Sequence, residues 1–411
     1  MFSRRHWIPP GALIFSQIAH GFSWLLLLWI GLSVTAAGPG LAGIAWVHVV
    51  ALGWATMAAV GILLHVIPAF TDVTWRWETL ARWSVAAFGL GVVVFVLGLL
   101  AWPQAIAGGA ALILLALIGY CIAAFSTLAA TVKGERVERA VGRALAINLL
   151  FLLLTAFIGA GLASMLSGMH VPAWLAALPA SHADLGMFGW ASLLIFGVSV
   201  RTIRPISGER SRFPSAHIIV GTSVLLGVVL LAIGLAASPT LAWIGGGLIA
   251  IGAIVYAVDM VDVLSRATVP HRAPQAFVVA GIIWLLLGLV LGAGTLMGQP
   301  WQAAFVFLIL AGWIGQMIDA HIHHIGVRLL ATIYRGDDDE TRPEELLDAR
   351  RSWFAFAAFQ IAIACGAIGL LGLHTLVAVG GAVGFIGWLA MMRNLATARS
   401  RAMRTEDISL L

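Results

Sequence analysis

Residues 52–70 read LGWATMAAVGILLHVIPAF, a run of apolar residues without a charged side chain. A helix needs about 20 such residues to cross the ~30 Å hydrocarbon core of a bilayer. Similar runs recur along the 411 residues, of which 61% are hydrophobic and only 10% are charged. Soluble domains carry roughly 25% charged residues. The sequence therefore predicts an all-α polytopic membrane bundle and excludes a water-soluble globule.

Apolar runs between charged, proline-rich or glycine-rich breaks predict twelve transmembrane helices in one domain over residues 1–411. One loop, 335–351, has substantial polar content and is predicted to hold a short solvated cytoplasmic helix. The predicted spans are 11–33, 42–69, 83–102, 105–131, 142–167, 183–205, 216–236, 241–264, 275–297, 302–331, 352–373 and 375–397.

The basic residues indicate how these spans are oriented. All 23 Lys and Arg lie at the termini, in the loops after even-numbered spans or at the adjoining span ends. Because positively charged loops stay in the cytoplasm, both termini are predicted to be cytoplasmic in a bacterial-type inner (plasma) membrane. The net charge of +5 then reflects topology. The predicted partner is the lipid bilayer, and no nucleic acid is expected.

Three spans of the same predicted direction share a Gly-Trp pair, followed eleven positions after the tryptophan by a basic-type residue. The interval is four spans, which predicts a pseudo-threefold repeat with sets at 11–131, 142–264 and 275–397. The pairs are Gly53-Trp54, Gly189-Trp190 and Gly312-Trp313, and the following residues are His65, Arg201 and His324.

Several of the 12 histidines lie within spans, where a polar side chain costs free energy unless it has a partner. Imidazoles from separate helices are the ligands with which helical bundles coordinate haem iron or copper. Haem propionates would need cations such as Arg201 and Arg204. The candidate metal ligands are His48, His65, His182, His321 and His323, and His324 is a further candidate for cofactor binding.

The cofactor predicted from these residues is haem, with copper as the second candidate. No CxxCH is present, which excludes covalent c-type attachment and favours a b-type haem. At ~100° per residue, His321 and His323 point to nearly opposite sides of the tenth helix, so that one helix could address two sites.

Taken together, twelve spans, cytoplasmic termini, a threefold repeat and intramembrane histidines resemble the catalytic subunit I of haem-copper oxidases and the related nitric oxide reductases. The second span, from His48 through Gly53-Trp54 to Pro68, is similar to the family helix that brings a histidine to the low-spin haem. His182 is similar to a copper ligand of that family, and His321-Ile322-His323 to its HxH motif, which holds two haems.

The chain also departs from that family's pattern. The paired histidines of the family's seventh helix are missing, since the seventh span has only His217. A second resemblance is to NnrS-type haem- and copper-containing membrane proteins linked to nitric oxide stress. They share the arrangement of histidine, small residues, proline and threonine from His48 to Thr71, although Trp46 stands in place of their second histidine.

These resemblances imply a haem protein of electron transfer or of oxygen or nitric oxide chemistry, in the latter case an oxidoreductase. An external electron donor or partner subunit is then implied, because the sequence has no nucleotide-binding loop. Two alternatives remain open. One is a copper or proton transporter or assembly factor, and the other is a structural subunit whose histidines are hydrogen-bonded between helices.

Overall fold

The computed structural model describes residues 10–33, 40–133, 136–270, 272–336 and 341–404. Over these residues the chain is helical, and twelve of its helices are long and apolar enough to cross a membrane. The predicted twelve-span membrane bundle is therefore confirmed. The spans are Gly11–Ser33, Gly40–Thr71, Glu78–Leu100, Ala105–Thr131, Glu138–Leu166, Pro179–Ser207, Ala216–Ala237, Pro239–Ser265, Arg272–Leu296, Gln302–Arg335, Ala349–Leu370 and Thr375–Met403.

Several helices extend beyond the apolar runs that predicted them. The third span begins at Glu78 rather than at residue 83, and the twelfth ends at Met403 rather than at 397. Hydropathy marks the part of a helix that lies in hydrocarbon, whereas the backbone hydrogen bonds continue into the polar region beyond it. The added turns carry Lys or Arg in most cases, so we call this end of the bundle the basic end.

The opposite end carries no formal charge in its connections. The segments 34–39, 101–104, 167–178, 238, 297–301 and 371–374 contain no Asp, Glu, Lys or Arg. We call it the uncharged end.

Spans two, six and ten form the centre of the bundle. The most apolar window of each is 72%, 61% and 78% buried, respectively, which exceeds the value for each of the other nine described spans. The others pack around them, and spans one and twelve lie against each other. At that contact a Cβ on Gly381 would come within 2.2 Å of the backbone nitrogen of Leu28. Glycine is therefore required for the two backbones to approach this closely.

Each central span contains an eight-residue π-helical segment. These segments are Val49–Thr56, Leu185–Ser192 and Leu308–Gly315, and they contact one another. In each segment the Gly-Trp pair occupies the fifth and sixth positions. π-Helical turns are rare and occur frequently at functional sites. The Gly-Trp pairs thus mark the place where the three central helices meet.

The loop 335–351 is more closely packed than its polarity predicts, although its residues 337–340 lie outside the described residues. Its short helix, Pro343–Leu346, is followed by Leu347, and both leucines are buried against the end of span twelve. The guanidinium of Arg335 donates to the carbonyl oxygens of Arg401 and Ala402. The loop therefore packs against the ends of spans ten and twelve instead of extending into solvent.

Asp348 makes the stability of this region depend on pH. Its carboxylate accepts a hydrogen bond from the backbone N–H of Arg351 at 3.2 Å at the start of span eleven, and this bond lowers the pKa of Asp348. A lowered folded-state pKa gives stability that is present above the unfolded value of about 3.9 and is lost as pH falls through the folded value. We expect Asp348→Asn to unfold with a weaker acid dependence than the wild type in thermal scans in detergent. Identical pH profiles would contradict this role.

Candidate metal centre

His48 and His182 come together in the half of the bundle nearest the uncharged end. His48 directly precedes the π-helical segment of span two, and His182 lies in the first turns of span six. Their ring centroids are 6.2 Å apart, with an angle of 19° between the ring planes. Both side chains are partly exposed although they lie within spans. The structure thus places two predicted ligands from separate helices side by side.

Backbone carbonyls fix the orientation of both rings. Nδ1 of His48 lies 2.8 Å from the carbonyl oxygen of Ile44, and Nδ1 of His182 lies 3.1 Å from that of Thr155. A carbonyl oxygen only accepts, so each Nδ1 carries the hydrogen and donates it, which leaves a lone pair on Nε2 of the neutral ring. Metal-bound histidines typically have this arrangement, in which the second ring nitrogen donates to a carbonyl.

The spacing of the two rings matches a metal ion bound between them. Two imidazoles on opposite sides of one metal, with bonds of about 2.0 Å, have centroids about 6 Å apart. No group of three or more His, Cys, Asp or Glu side chains that could hold a metal ion occurs in the described ranges. The donor set at this place is therefore two imidazoles, which suits the axial positions of haem or a single copper ion.

Neighbouring side chains shape the pair closely. A Cβ on Gly159 of span five would come within 2.7 Å of Cε1 of His182. The ring of Phe95 from span three meets the His48 ring edge-on, with centroids 5.1 Å apart at 72°. Spans three and five thus pack against the two imidazoles.

The histidines of span ten lie in the half of the bundle nearest the basic end and make different contacts. Nδ1 of His321 donates to the carbonyl oxygen of Met317 at 2.6 Å, and its Nε2 lies 2.9 Å from the hydroxyl of Thr202 in span six. His323 donates from Nδ1 to the carbonyl of Asp319 at 2.8 Å, and its ring lies on Phe277 of span nine. The two histidines therefore face opposite neighbours.

Two imidazole nitrogens of this group are buried without a hydrogen-bond partner among the described residues, namely Nε2 of His323 and Nδ1 of His324. Nε2 of His323 has the lone pair that a metal requires, because Nδ1 donates to a carbonyl. The structure brings no second imidazole within ring contact of it in the part of the chain it describes. The assignment of His321, His323 and His324 as cofactor ligands stays a prediction.

The remaining predicted site residues lie away from the His48–His182 pair. Arg201 follows His182 by 19 residues in the same span, which corresponds to roughly 28 Å. Its guanidinium lies 5.2 Å above the ring of Phe70, and Arg204 is exposed at the same end. His65 is buried in the basic-end half of span two. None of these three can reach a cofactor held by the pair, and their assignment to a second site stays a prediction.

The three tryptophans of the Gly-Trp pairs lie in a partly closed hydrogen-bond ring. Trp190 donates from Nε1 to the hydroxyl of Thr56, and Trp313 donates to that of Ser192, each at 3.0 Å. Thr56 and Ser192 are the last residues of their π-helical segments. In the third segment that position is Gly315, where a Cβ would meet the benzene edge of Trp54 at 2.7 Å. Only two of the three links are therefore made.

Removing the hydroxyl of Ser192 should destabilise the core. In Ser192→Ala the buried N–H of Trp313 loses its acceptor, at a cost of about 1–3 kcal/mol. We expect a lower midpoint in unfolding by denaturing detergent than for the wild type. Ser223→Ala is the matched control, because that hydroxyl donates only to carbonyls of its own helix. Equal midpoints for the two variants would show that the ring contributes nothing.

Sequence reasoning missed several buried polar residues. His20 is fully buried at the centre of the bundle, where its ring stacks on Trp54 with centroids 3.6 Å apart. The carboxylate of Asp184 is buried without a hydrogen-bond partner among the described residues. Their only signal in the sequence is a polar side chain within an apolar run, which says nothing about the partner it faces.

Comparison with known proteins adds no assignment to this geometry. No protein-family model matches the chain, and no curated protein is significantly similar to it. What the chain does must therefore be inferred from its own residues.

Proposed function

We propose that the chain is a haem-binding integral membrane protein in which His48 and His182 would hold the iron of one haem. The observation that carries this proposal is the pair of rings with centroids 6.2 Å apart, each with Nδ1 donating to a backbone carbonyl. Haem so bound would supply one-electron transfer through its iron. If both imidazoles bound the iron, the site would suit electron transfer better than oxygen or nitric oxide binding.

The relation to subunit I of haem-copper oxidases belongs to this proposal. Twelve spans and intramembrane histidines support it, whereas the pairing of His48 with His182 differs from what the resemblance implied for these two residues. An NnrS-like haem and copper protein of nitric oxide stress is the alternative with the same donor chemistry. In each case an external electron donor or partner subunit completes the path.

The second candidate function is copper binding by a transporter or assembly factor. The observation that favours it is the charge distribution, because the Lys and Arg of the described residues lie toward the basic end. Haem propionates near His48 and His182 would lack an Arg or Lys partner, whereas a cuprous ion between two imidazoles needs none.

The test is the cofactor content of the full-length protein purified in mild detergent. A haem protein should show Soret and α bands in the reduced-minus-oxidised spectrum and should retain them on dialysis. Metal analysis showing copper without haem would favour the second candidate. A preparation without chromophore or metal, even after addition of haem or Cu⁺, would contradict both.

The orientation and the internal repeat complete the proposal. Both termini lie in the cytoplasm of a bacterial-type inner membrane, so the His48–His182 pair lies toward the outer side. The twelve spans form a pseudo-threefold repeat of four helices. The repeat is supported by the identical register of the Gly-Trp pair in the three π-helical segments and by the two equivalent tryptophan hydrogen bonds.

A further inference from the structure

The break in the tryptophan ring leaves two buried N–H groups without an acceptor. Nε1 of Trp54 and Nδ1 of His20 have no hydrogen-bond partner among the described residues. The two rings are stacked with centroids 3.6 Å apart and planes 6° apart, and both side chains are at most 1% exposed. The unpartnered atoms therefore belong to one compact place in the middle of the bundle.

Both nitrogens are hydrogen-bond donors. An indole N–H only donates, so the Trp24 bond to Nε2 of His20 at 3.0 Å makes that nitrogen an acceptor. A neutral His20 then carries its hydrogen on Nδ1. This is the same tautomer as in His48 and His182, and it excludes Nδ1 of His20 as a metal ligand.

A third polar group lies on the same helix. Gln17 precedes His20 by three residues, a spacing that puts the two side chains on one helical face, and both of its amide atoms are buried without a partner among the described residues. The neighbouring Ser16 donates to the carbonyl oxygen of Trp54 at 3.1 Å, which fixes this turn of span one against span two. Two donors and an amide in an otherwise apolar core are the surroundings in which a buried water binds, typically with about three hydrogen bonds.

We propose that a water molecule is bound at the His20–Trp54 stack, where it accepts from Nδ1–H of His20 and Nε1–H of Trp54 and donates to Oε1 of Gln17. Gly315 has no hydroxyl at the position where Thr56 and Ser192 supply one, and Nε1 of Trp54 has no acceptor among the described residues. The site differs from the other two places in the ring in that its acceptor comes from outside the chain. It is independent of any cofactor at His48 and His182.

The test is water-edited solid-state NMR of the indole ¹⁵N–¹H groups of the full chain in lipid bilayers, with the Trp54 signal assigned through Trp54→Phe. Trp190 and Trp313 are internal controls, since their N–H groups donate to protein hydroxyls. We expect magnetisation transfer from water to reach Trp54 at least about twofold faster than the two controls.

A second variant separates the site from general wetting of the core. His20→Phe keeps a flat ring on Trp54 but removes one donor, and we expect it to reduce the water signal at Trp54 while the Trp190 and Trp313 shifts stay unchanged. Transfer that is equally fast at all three indoles, or absent at Trp54, would overturn the proposal. A Trp54 signal unaffected by His20→Phe would overturn the role of His20.

Discussion

Alanine in place of His48 is expected to reduce the haem content of the purified protein to less than about one tenth of the wild-type value. The variant removes one of two imidazoles whose centroids lie 6.2 Å apart, and no third histidine is in ring contact with this pair among the described residues. If the site holds haem, any haem left in the variant should bind carbon monoxide in place of the missing imidazole, and the wild-type protein should not bind it. The reduced-minus-oxidised spectrum and the carbon monoxide difference spectrum measure the two effects.

His182→Ala should give the same result, because the two rings have equivalent roles. His374→Ala is the matched control, since that histidine lies exposed at the same end of the bundle. If the wild-type protein holds copper and no haem, the first two variants should lose the copper and the control should keep it. Wild-type spectra in both His48→Ala and His182→Ala would remove the assignment of the pair.

The membrane architecture was predictable because hydropathy and charge each act locally along the chain. Twelve apolar runs gave twelve spans, and the ends that differ, such as Glu78 and Met403, lie where a helix continues beyond the hydrocarbon. The central position of spans two, six and ten had a sequence signal as well. Their Gly-Trp pairs coincide with the π-helical segments, although the sequence does not reveal that these turns are π-helical.

The pairing of the site residues was harder to predict than their identity. His48 and His182 precede their Gly-Trp pairs by five and seven residues, so the sequence predicts that they lie at similar depths in the membrane. The sequence does not predict that the two side chains face each other, because a π-helical segment turns by less than the 100° per residue assumed for an α-helix. Over eight residues this difference rotates the side chains before the segment, relative to those after it, about the helix axis.

Contacts between central residues could not be predicted at all. The acceptors of Trp190 and Trp313 lie 134 and 121 residues away in the sequence, and nothing in the local pattern specifies such a partner. The sequence assigns His20 no role for the same reason, because its partners Trp54 and Phe359 belong to spans two and eleven. The role of a buried polar group depends on the partners that the fold places beside it.

Gly159→Ala is expected to weaken cofactor binding about 10- to 100-fold, the loss typical when a residue that orients a ligand is changed. The added methyl group would lie 2.7 Å from Cε1 of His182 and 3.5 Å from its Nε2. The ring would have to move by about 0.7 Å to reach an ordinary contact, which exceeds the ~0.5 Å that a preorganised site tolerates. That movement also strains the bond from Nδ1 to the carbonyl of Thr155.

The helix itself should tolerate this substitution, since alanine has a higher helix propensity than glycine. Titration of the cofactor-free protein with haem, or with Cu⁺ if copper is the native metal, measures the effect. Gly197→Ala is the matched control, because a Cβ there has no neighbouring atom within 4 Å and the residue lies in the same span as His182. Affinities equal to wild type in both variants would mean that the His182 ring does not need its present position to bind the metal. A loss of affinity confined to Gly159→Ala would instead show that span five, which contributes no ligand, determines the position of the His182 imidazole.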